Sequence, residues 1–382
     1  MLTIAQLAHT FFKPTLTWLH NTVTAFKRVQ PVCVGSCTAN AVQFPFDGPI
    51  ILLRSRGAVV RLWTRGMQRI RGVEYVLDFN TCNVRRSLRR YDVRVLHAHF
   101  GYNGCRTLRL KQNTGLPMVT TFYGEDVSAL PKREPWKSRY PRLFEEGEIF
   151  LVEGSCMRDR LANIGCPREK IEIQRIGIYP ERYPFRERRP RPAAEPLRLL
   201  FCGSFREKKG LLDALEAVRI VHDRGKAVNF DVIGDGPLRD EVESFIRLHD
   251  MGSYVRLLGF QDHTAMIHAM NASDLFISPS VTAADGDSEG GAPTTILEAQ
   301  ACGLPVLATT HADIPNVVSP GSAELVPERA PEILADRLKT LLRQPEKWAG
   351  MGREERRWIE NRHDVRKLAA ELEDRYFQLT GQ

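Results

Sequence analysis

The polar residues best placed for chemistry lie in EGGAPTTILEAQACGLPV, Glu289–Val306. An apolar run, LFISPS, leads into this Gly-rich loop, and a helical pattern opens near Pro293. Gly290 and Gly291 allow a ligand to approach the backbone closely. Backbone N–H groups from Ala292 to Thr294 lie where a helix begins, and helix starts suit phosphate. Glu289 can accept hydrogen bonds from sugar hydroxyls. Glu298, about one turn into the helix, can accept the two hydroxyls of a ribose. An ordinary strand–loop–helix with a first-turn glutamate as dipole partner fits the same pattern, and the residues alone leave both readings open.

Four further loops carry candidate groups. GSFREKKG, Gly203–Gly210, follows an apolar run, and Arg206 and Lys209 there can neutralise a diphosphate, or simply form a solvated basic turn. IGDGPLRDE departs from GxGxxG because Pro237 and Leu238 follow the second glycine, so it reads mainly as a tight turn and a redox enzyme loses support. HAHFG, His97–Gly101, sends two histidines to one side of a strand, without a third metal ligand nearby. TTFYGEDVS places Tyr123, Glu125 and Asp126 at a strand tip, where Gly124 and Asp126 also fit plain turn chemistry.

These loops need elements to hold them. Short apolar runs alternate with helical stretches, which implies βαβ units and parallel sheets. LRLLFCGS, NFDVIGDG, YVRLLGF, LFISPS and PVLATT read as strands in the second half. TIAQLAHTF, PVCVGS, VRVLHAHFG, MVTTFYGED and EIFLVEGS read as strands in the first. Residues 184–196, PFRERRPRPAAEP, read as a linker. The expected organisation is a first α/β domain over 1–183, a second over 197–363, and a last helix over 364–382 that packs back on the first domain. Each domain is a doubly wound sheet with right-handed crossovers.

The chain has 382 residues, more than one core usually serves. Its eight cysteines show no CxxC pair, which reads as reduced thiols in a cytoplasmic protein. MLTIAQLAHTFF lacks the charged and long apolar regions of a signal peptide, so none is expected, and no run is long enough to span a bilayer. Residues 1–110 carry 16 Lys and Arg against 4 Asp and Glu, while the whole chain is only +8. The front half therefore faces something anionic, or is a solvated basic face. Nucleic acid ranks last, since basic residues are not interleaved with stacking aromatics in the manner of single-strand binders. In RSRGAVVRLWTRGMQRIRG, apolar residues including Trp63 interleave with Arg61, Arg65 and Arg69. Such a helix can lie on an anionic bilayer or cover a sheet.

Taken in order, GSFREKKG, VIGDGP, VRLLGF, DLFISPS and EGGAPTTILEAQACGLPV resemble the family 4 glycosyltransferases. The resemblance covers about residues 90–380, with HAHFG, TTFYGEDVS and GCPREKIEIQRIGIYPERYPF similar to the family's N-domain and hinge segments. The bacterial branch building exopolysaccharide or lipopolysaccharide is the most similar. The resemblance implies the GT-B fold, two Rossmann-like domains facing a cleft. It implies a retaining, metal-independent transfer without a cofactor, from a nucleoside diphosphate sugar to a glycan or polyprenyl-linked acceptor. The protein is then expected in the cytoplasm, peripheral on the inner membrane face.

By that resemblance Lys209 stabilises the diphosphate, Glu298 binds the ribose and Glu289 holds the donor sugar. Gly203, Ser204, Arg206, Gly234, Gly259, Gly290, Gly291, Ala292, Pro293 and Thr294 complete the donor site. His99 and Asp126 are the implied N-domain catalytic residues, and Tyr123 an acceptor contact. Three positions depart from the family pattern. Ser204 stands where the family commonly has Arg, with Arg206 as the nearby substitute. Eight residues rather than seven separate Glu289 from Glu298. Tyr123 replaces a common His and does not titrate near neutral pH. The alternatives are a non-catalytic nucleotide-sugar-binding member of a polysaccharide assembly complex, and a nucleotide-sugar epimerase of the same fold. A sugar phosphorylase would need a pyridoxal-binding lysine, for which the sequence offers no candidate.

Overall fold

The computed structural model describes residues 1–12, 16–38, 43–53, 79–192, 195–291 and 293–382. The chain divides into two compact units. The first comprises Met1–Glu153, Arg158–Gly177 and Val365–Gln382, the second Gly154–Met157 and Ile178–Asp364.

The first unit is built on β1 (Leu2–Leu7), β3 (Val29–Gly35), β5 (Ile50–Leu52), β6 (Val93–His99), β7 (Met118–Thr121), β8 (Ile149–Val152) and β9 (Ile171–Ile173). Their order is β5-β3-β1-β6-β7-β8-β9, with every pairing parallel. A small pair, β2 (Thr10–Phe11) and β4 (Cys37–Thr38), adjoins it. All six residues of β1 are buried, as expected of a parallel strand covered on both faces. The final helix, Val365–Thr380, lies in this unit, and its Leu372 and Tyr376 pack with Leu2, Ile4, Val95, Val119 and Leu151. Glu373 anchors it. One carboxylate oxygen accepts the N–H groups of Lys27 (2.7 Å), Arg28 (2.6 Å) and Val29 (3.1 Å), and the other accepts the Arg28 guanidinium.

The second unit holds β10 (Leu197–Cys202), β11 (Val228–Ile233), β12 (Val255–Gly259), β13 (Leu275–Ser278), β14 (Val306–Thr309) and β15 (Glu324–Val326). Their order, β12-β11-β10-β13-β14-β15, is all parallel, so the winding reverses between β10 and β13. Ligands of doubly wound sheets bind beyond the strand ends at such a reversal.

One boundary differs from the sequence expectation. The stretch 184–196, read as a linker, falls within the second unit, whose longer segment is Ile178–Asp364. Arg188 is 3% exposed, and its guanidinium donates to the carbonyls of Met270, Ser273 and Cys302. Two of these residues are C-caps, of the helices His263–Ala272 and Thr294–Ala301. Helix C-termini present unpaired carbonyls and negative potential, which satisfy this buried cation, and the charges of Asp274 and Glu355 favour it as well. Burial nonetheless pushes the Arg188 pKa down to about 10. Composition marks this stretch as polar, but does not reveal that Arg188 alone among its described charged residues is buried.

Candidate active site

In the second unit two loops flank the reversal point, one after β10 and one after β13. The first is pressed against its neighbours. Gly210 has φ +66, and a Cβ there would lie 1.8 Å from the Pro279 carbonyl oxygen. Gly234 has φ +137, and its Cβ would lie 1.9 Å from the Gly203 carbonyl oxygen. Both positions therefore require glycine, for conformation and for space. Gly203 donates to Ile233 O and Phe205 to Asp235 O, which ties this loop to the turn after β11. Gly259 serves the scaffold, its carbonyl accepting the Gly234 N–H at 2.9 Å.

The adjacent lysines stitch the two loops together. Lys208 Nζ pairs with Asp287 at 3.0 Å. Lys209 Nζ pairs with Glu289 Oε1 at 2.7 Å, with side-chain exposures of only 18% and 10%. Glu207 joins them, accepting from the Ala284 N–H and pairing with Arg329 at 2.7 Å. Arg206 is exposed on the same turn, while Ser204 is half-buried and its carbonyl accepts the Arg206 N–H.

The helix Thr294–Ala301 starts at this point, with Pro293 as a cap that makes no side-chain hydrogen bond. Thr295 Oγ1 donates to the Cys202 carbonyl at 3.2 Å, which sets the helix start against the end of β10. Glu298 is 4% exposed, and its Oε1 accepts the Tyr183 hydroxyl at 3.0 Å. Burial raises the Glu298 pKa to about 7, and the Tyr183 bond opposes that rise. Gly290 and Gly291 are buried between Glu289 and the helix, and Ala292 lies outside the described residues.

Behind Glu289 lies a pair that the sequence reading did not single out. The Glu289 N–H donates to His311 Nε2 at 3.1 Å. His311 Nδ1 lies 2.6 Å from Glu328 Oε1, and Glu328 Oε2 accepts the Thr282 N–H at 2.7 Å. Both contacts of His311 are satisfied together only by the neutral ring with its proton on Nδ1. Tyr183 was missed as well. Its signal was a hydroxyl-bearing ring in the hinge segment, and that of His311 and Glu328 was a polar residue just beyond PVLATT and ELV.

In the first unit His97 and His99 stack with ring centroids 4.4 Å apart, and both are buried. His99 Nδ1 meets the Tyr123 hydroxyl at 3.0 Å and Nε2 meets Gln6 Oε1 at 2.7 Å. Gln6 Nε2 donates to the Tyr376 hydroxyl at 3.3 Å, which lies 2.5 Å from His97 Nδ1, and His97 Nε2 lies 2.7 Å from Thr121 Oγ1. Thr121 in turn hydrogen-bonds the Tyr123 side chain. The donors and acceptors close a ring in one direction: Tyr123 to His99, Gln6, Tyr376, His97, Thr121 and back to Tyr123. Gln6 can only accept through oxygen and donate through nitrogen, which sets that direction. Burial lowers the His99 pKa to about 3, and burial together with the neighbouring His99 lowers that of His97 well below its usual value. Both nitrogens of His99 and the hydroxyl of Tyr123 are thus committed inside the protein.

Asp126 is 1% exposed and accepts the Tyr123 N–H at 3.1 Å. Burial pushes its pKa up to about 8, against the opposing backbone N–H groups of Tyr123 and Gly101. The candidates therefore fall into two groups, one in each unit. Lys209, Glu289 and Glu298 border the reversal point of the second sheet, and His99, Tyr123 and Asp126 share the ends of β6 and β7. Arg61, Trp63, Arg65 and Arg69 lie outside the described residues. Among the described residues no group of three or more His, Cys, Asp or Glu side chains is placed to hold a metal ion.

Two all-parallel Rossmann-like sheets, one with a polar site at its reversal point, define the GT-B class. Residues 196–344 match the family model described as glycosyl transferases group 1. The chain is 37% identical over 240 residues to the amylovoran biosynthesis glycosyltransferase AmsK of Erwinia amylovora, covering 62% of this chain and 58% of that relative. It is 31% identical over 304 residues to the putative colanic acid biosynthesis glycosyltransferase WcaL of Escherichia coli K12, covering 74% and 73%. The structure of Anabaena HepE in complex with UDP and glucose superposes with a TM-score of 0.74 at 15% identity, over 98% of this chain and 99% of that one. The chain belongs to the group 1 glycosyltransferases, the family 4 enzymes of GT-B fold.

Proposed function

We propose that the protein transfers a sugar, with retention, from a nucleoside diphosphate sugar to a glycan or polyprenyl-linked acceptor in exopolysaccharide assembly. The observation that carries this reading is the Lys209–Glu289 ion pair beside the start of the helix that bears Glu298. The relatives named for amylovoran and colanic acid biosynthesis support the pathway class. Neighbours solved with UDP and with UDP-glucose support the donor class.

In this mechanism the diphosphate meets the leading N–H groups of the helix, and Lys209 turns from Glu289 toward it. Glu298 accepts the ribose hydroxyls, and Glu289 accepts hydroxyls of the donor sugar. The bond from C1 to the phosphate oxygen breaks as the acceptor oxygen bonds C1 on the same face. The acceptor proton passes to the leaving phosphate. The protein supplies positioning and fixed positive potential rather than a separate base. Lysine and helix N–H groups provide the charge that metal-dependent transferases draw from a cation, so transfer is expected to persist in EDTA. His99 and Asp126 act by fixing the strand ends that meet the acceptor, and Tyr123 presents its ring there.

The test is a thermal-shift panel of UDP, GDP, ADP and their common sugars, with and without magnesium. One base is expected to raise the melting temperature without magnesium, by mass action. Stabilisation by none of them would sink the donor reading. Binding without transfer or slow hydrolysis would favour a non-catalytic subunit.

Among the described residues no helix is long and apolar enough to cross a membrane. We assign contact with the inner membrane face to the basic segment carrying Arg61, Trp63, Arg65 and Arg69. Replacing the three arginines by glutamine should abolish sedimentation with anionic vesicles. Full sedimentation of that variant would refute the assignment.

A further inference from the structure

We infer that His311, held by Glu328, is a positioning residue that fixes Glu289 at the donor sugar. The inference rests on the donor reading above and goes beyond it, because neither residue belongs to the donor site as argued there.

The three groups come from three successive strands. Glu289 follows β13, His311 follows β14 and Glu328 follows β15. Glu328 accepts the Nδ1 proton at 2.6 Å, so Nε2 carries the lone pair and faces the Glu289 N–H at 3.1 Å. A carboxylate on Nδ1 makes Nε2 a better acceptor and fixes the ring plane. His311 is wholly buried, so no water competes for that bond.

The backbone supports the same assignment. Only six non-glycine residues among those described have positive φ, and two are Ala312 (φ 47) and Arg329 (φ 52). They directly follow His311 and Glu328. Alanine and arginine have no side-chain compensation in that region, so the fold holds strained turns at both places. The same Glu328 holds Thr282 N–H at the start of the loop, so one carboxylate and its histidine brace both ends of the segment 282–289. Bracing matters here because Gly290 and Gly291 follow at once and give Glu289 no stiffness from that side.

The pair resembles an acid–base couple, but its geometry assigns another role. Nε2 faces a main-chain N–H, so it cannot take a proton from a substrate without releasing Glu289. The couple acts on the reaction through placement only.

The variants are His311→Phe, which keeps the ring and removes the acceptor, and His311→Gln, whose amide oxygen can again accept from the Glu289 N–H. Glu328→Gln serves as a milder third. Three readouts are needed: amide exchange at Glu289 and Gly290, affinity for UDP, GDP and ADP alone, and kcat with the nucleotide sugar that most stabilises the wild type. His311→Phe is expected to speed exchange across 282–290, leave nucleotide affinity within about twofold, and lower kcat roughly 100-fold, the scale of an ångström's misplacement. His311→Gln should recover kcat to within about tenfold. Wild-type kcat in His311→Phe would overturn the inference, and so would an equal loss of nucleotide affinity and kcat in both variants. If the wild type binds no nucleotide sugar, the donor reading fails on its own. The exchange measurement then still decides, because unchanged protection at Glu289 in His311→Phe refutes the brace.

Discussion

Lys209→Ala is expected to lower kcat/KM for sugar transfer by roughly a thousandfold, the upper range for removing one fixed electrostatic group from a reaction site. Two losses coincide in this variant. The diphosphate loses its nearest cation, and Glu289 loses its ion-pair partner at 2.7 Å while remaining nine-tenths buried. Lys208 cannot step in without giving up Asp287 at 3.0 Å. An uncompensated buried carboxylate is costly, so the variant should also unfold more easily, by about 1–3 kcal/mol. The double variant Lys209→Ala/Glu289→Gln separates the two effects. It should regain the lost stability and none of the activity. Steady-state kinetics and denaturant midpoints on the single and double variants check this. A double variant as unstable as the single one would show that the lost stability does not come from the unpaired Glu289 carboxylate.

Glu298 gives the second large effect, and its sign follows from the protonation state. Ribose hydroxyls donate, so they bind the carboxylate in preference to the acid. The free protein holds Glu298 near pKa 7, chiefly through burial. Nucleotide affinity should therefore rise from pH 6 to pH 8 and level off above. Tyr183 donates to the ionised form, so Tyr183→Phe should shift that rise to higher pH. Stability runs the opposite way. The unfolded carboxyl loses its proton near 4.5 and the folded one near 7, so the unliganded fold loses stability as pH climbs between them. Glu298→Gln should accordingly be more stable than wild type at pH 8 while binding nucleotide about 10- to 100-fold more weakly, the loss of one or two charge-assisted hydrogen bonds. Calorimetric titrations with UDP and GDP across this pH range test both slopes. A pH-independent affinity in the wild type would remove Glu298 from the ribose.

The second unit was more legible in the sequence than the first. Strands β10, β11 and β12 run into glycine turns and the helices keep a 3.6-residue period, so the order of elements from LRLLFCGS to PVLATT can be read directly. Lys209 and Glu289 could be singled out because each lies in a glycine-marked loop, and Glu298 because it sits in the helix that follows one. His311 and Glu328 were not, since their relation to Glu289 depends on neighbouring strand ends 22 and 17 residues apart in sequence. Parallel sheets bring such residues together without any local pattern. The helix Trp136–Glu146 escaped notice because it contains Pro141 and follows Pro135. The strands β5, β9 and β15 have three residues each, too few for a period to show. HAHFG correctly sent both histidines to one side, yet burial of both was hidden, because Gln6 and Tyr376 lie 93 and 279 residues away from their partners.

The placement of Val365–Thr380 bears on how the protein is made. The first unit begins at the first residue, but its core needs Leu372 and Tyr376, and the Arg28 and Val29 amides need Glu373. Nearly all of the second unit, 178–364, is translated in between. At ordinary elongation rates that interval is on the order of 10–40 s. The later unit can reach its native form on the ribosome while the earlier one still exposes an unfilled seam beside β1 and β3. A chaperone that acts during synthesis would find its target in the first unit, and a ribosome stalled before residue 365 would leave that unit without the helix Val365–Thr380.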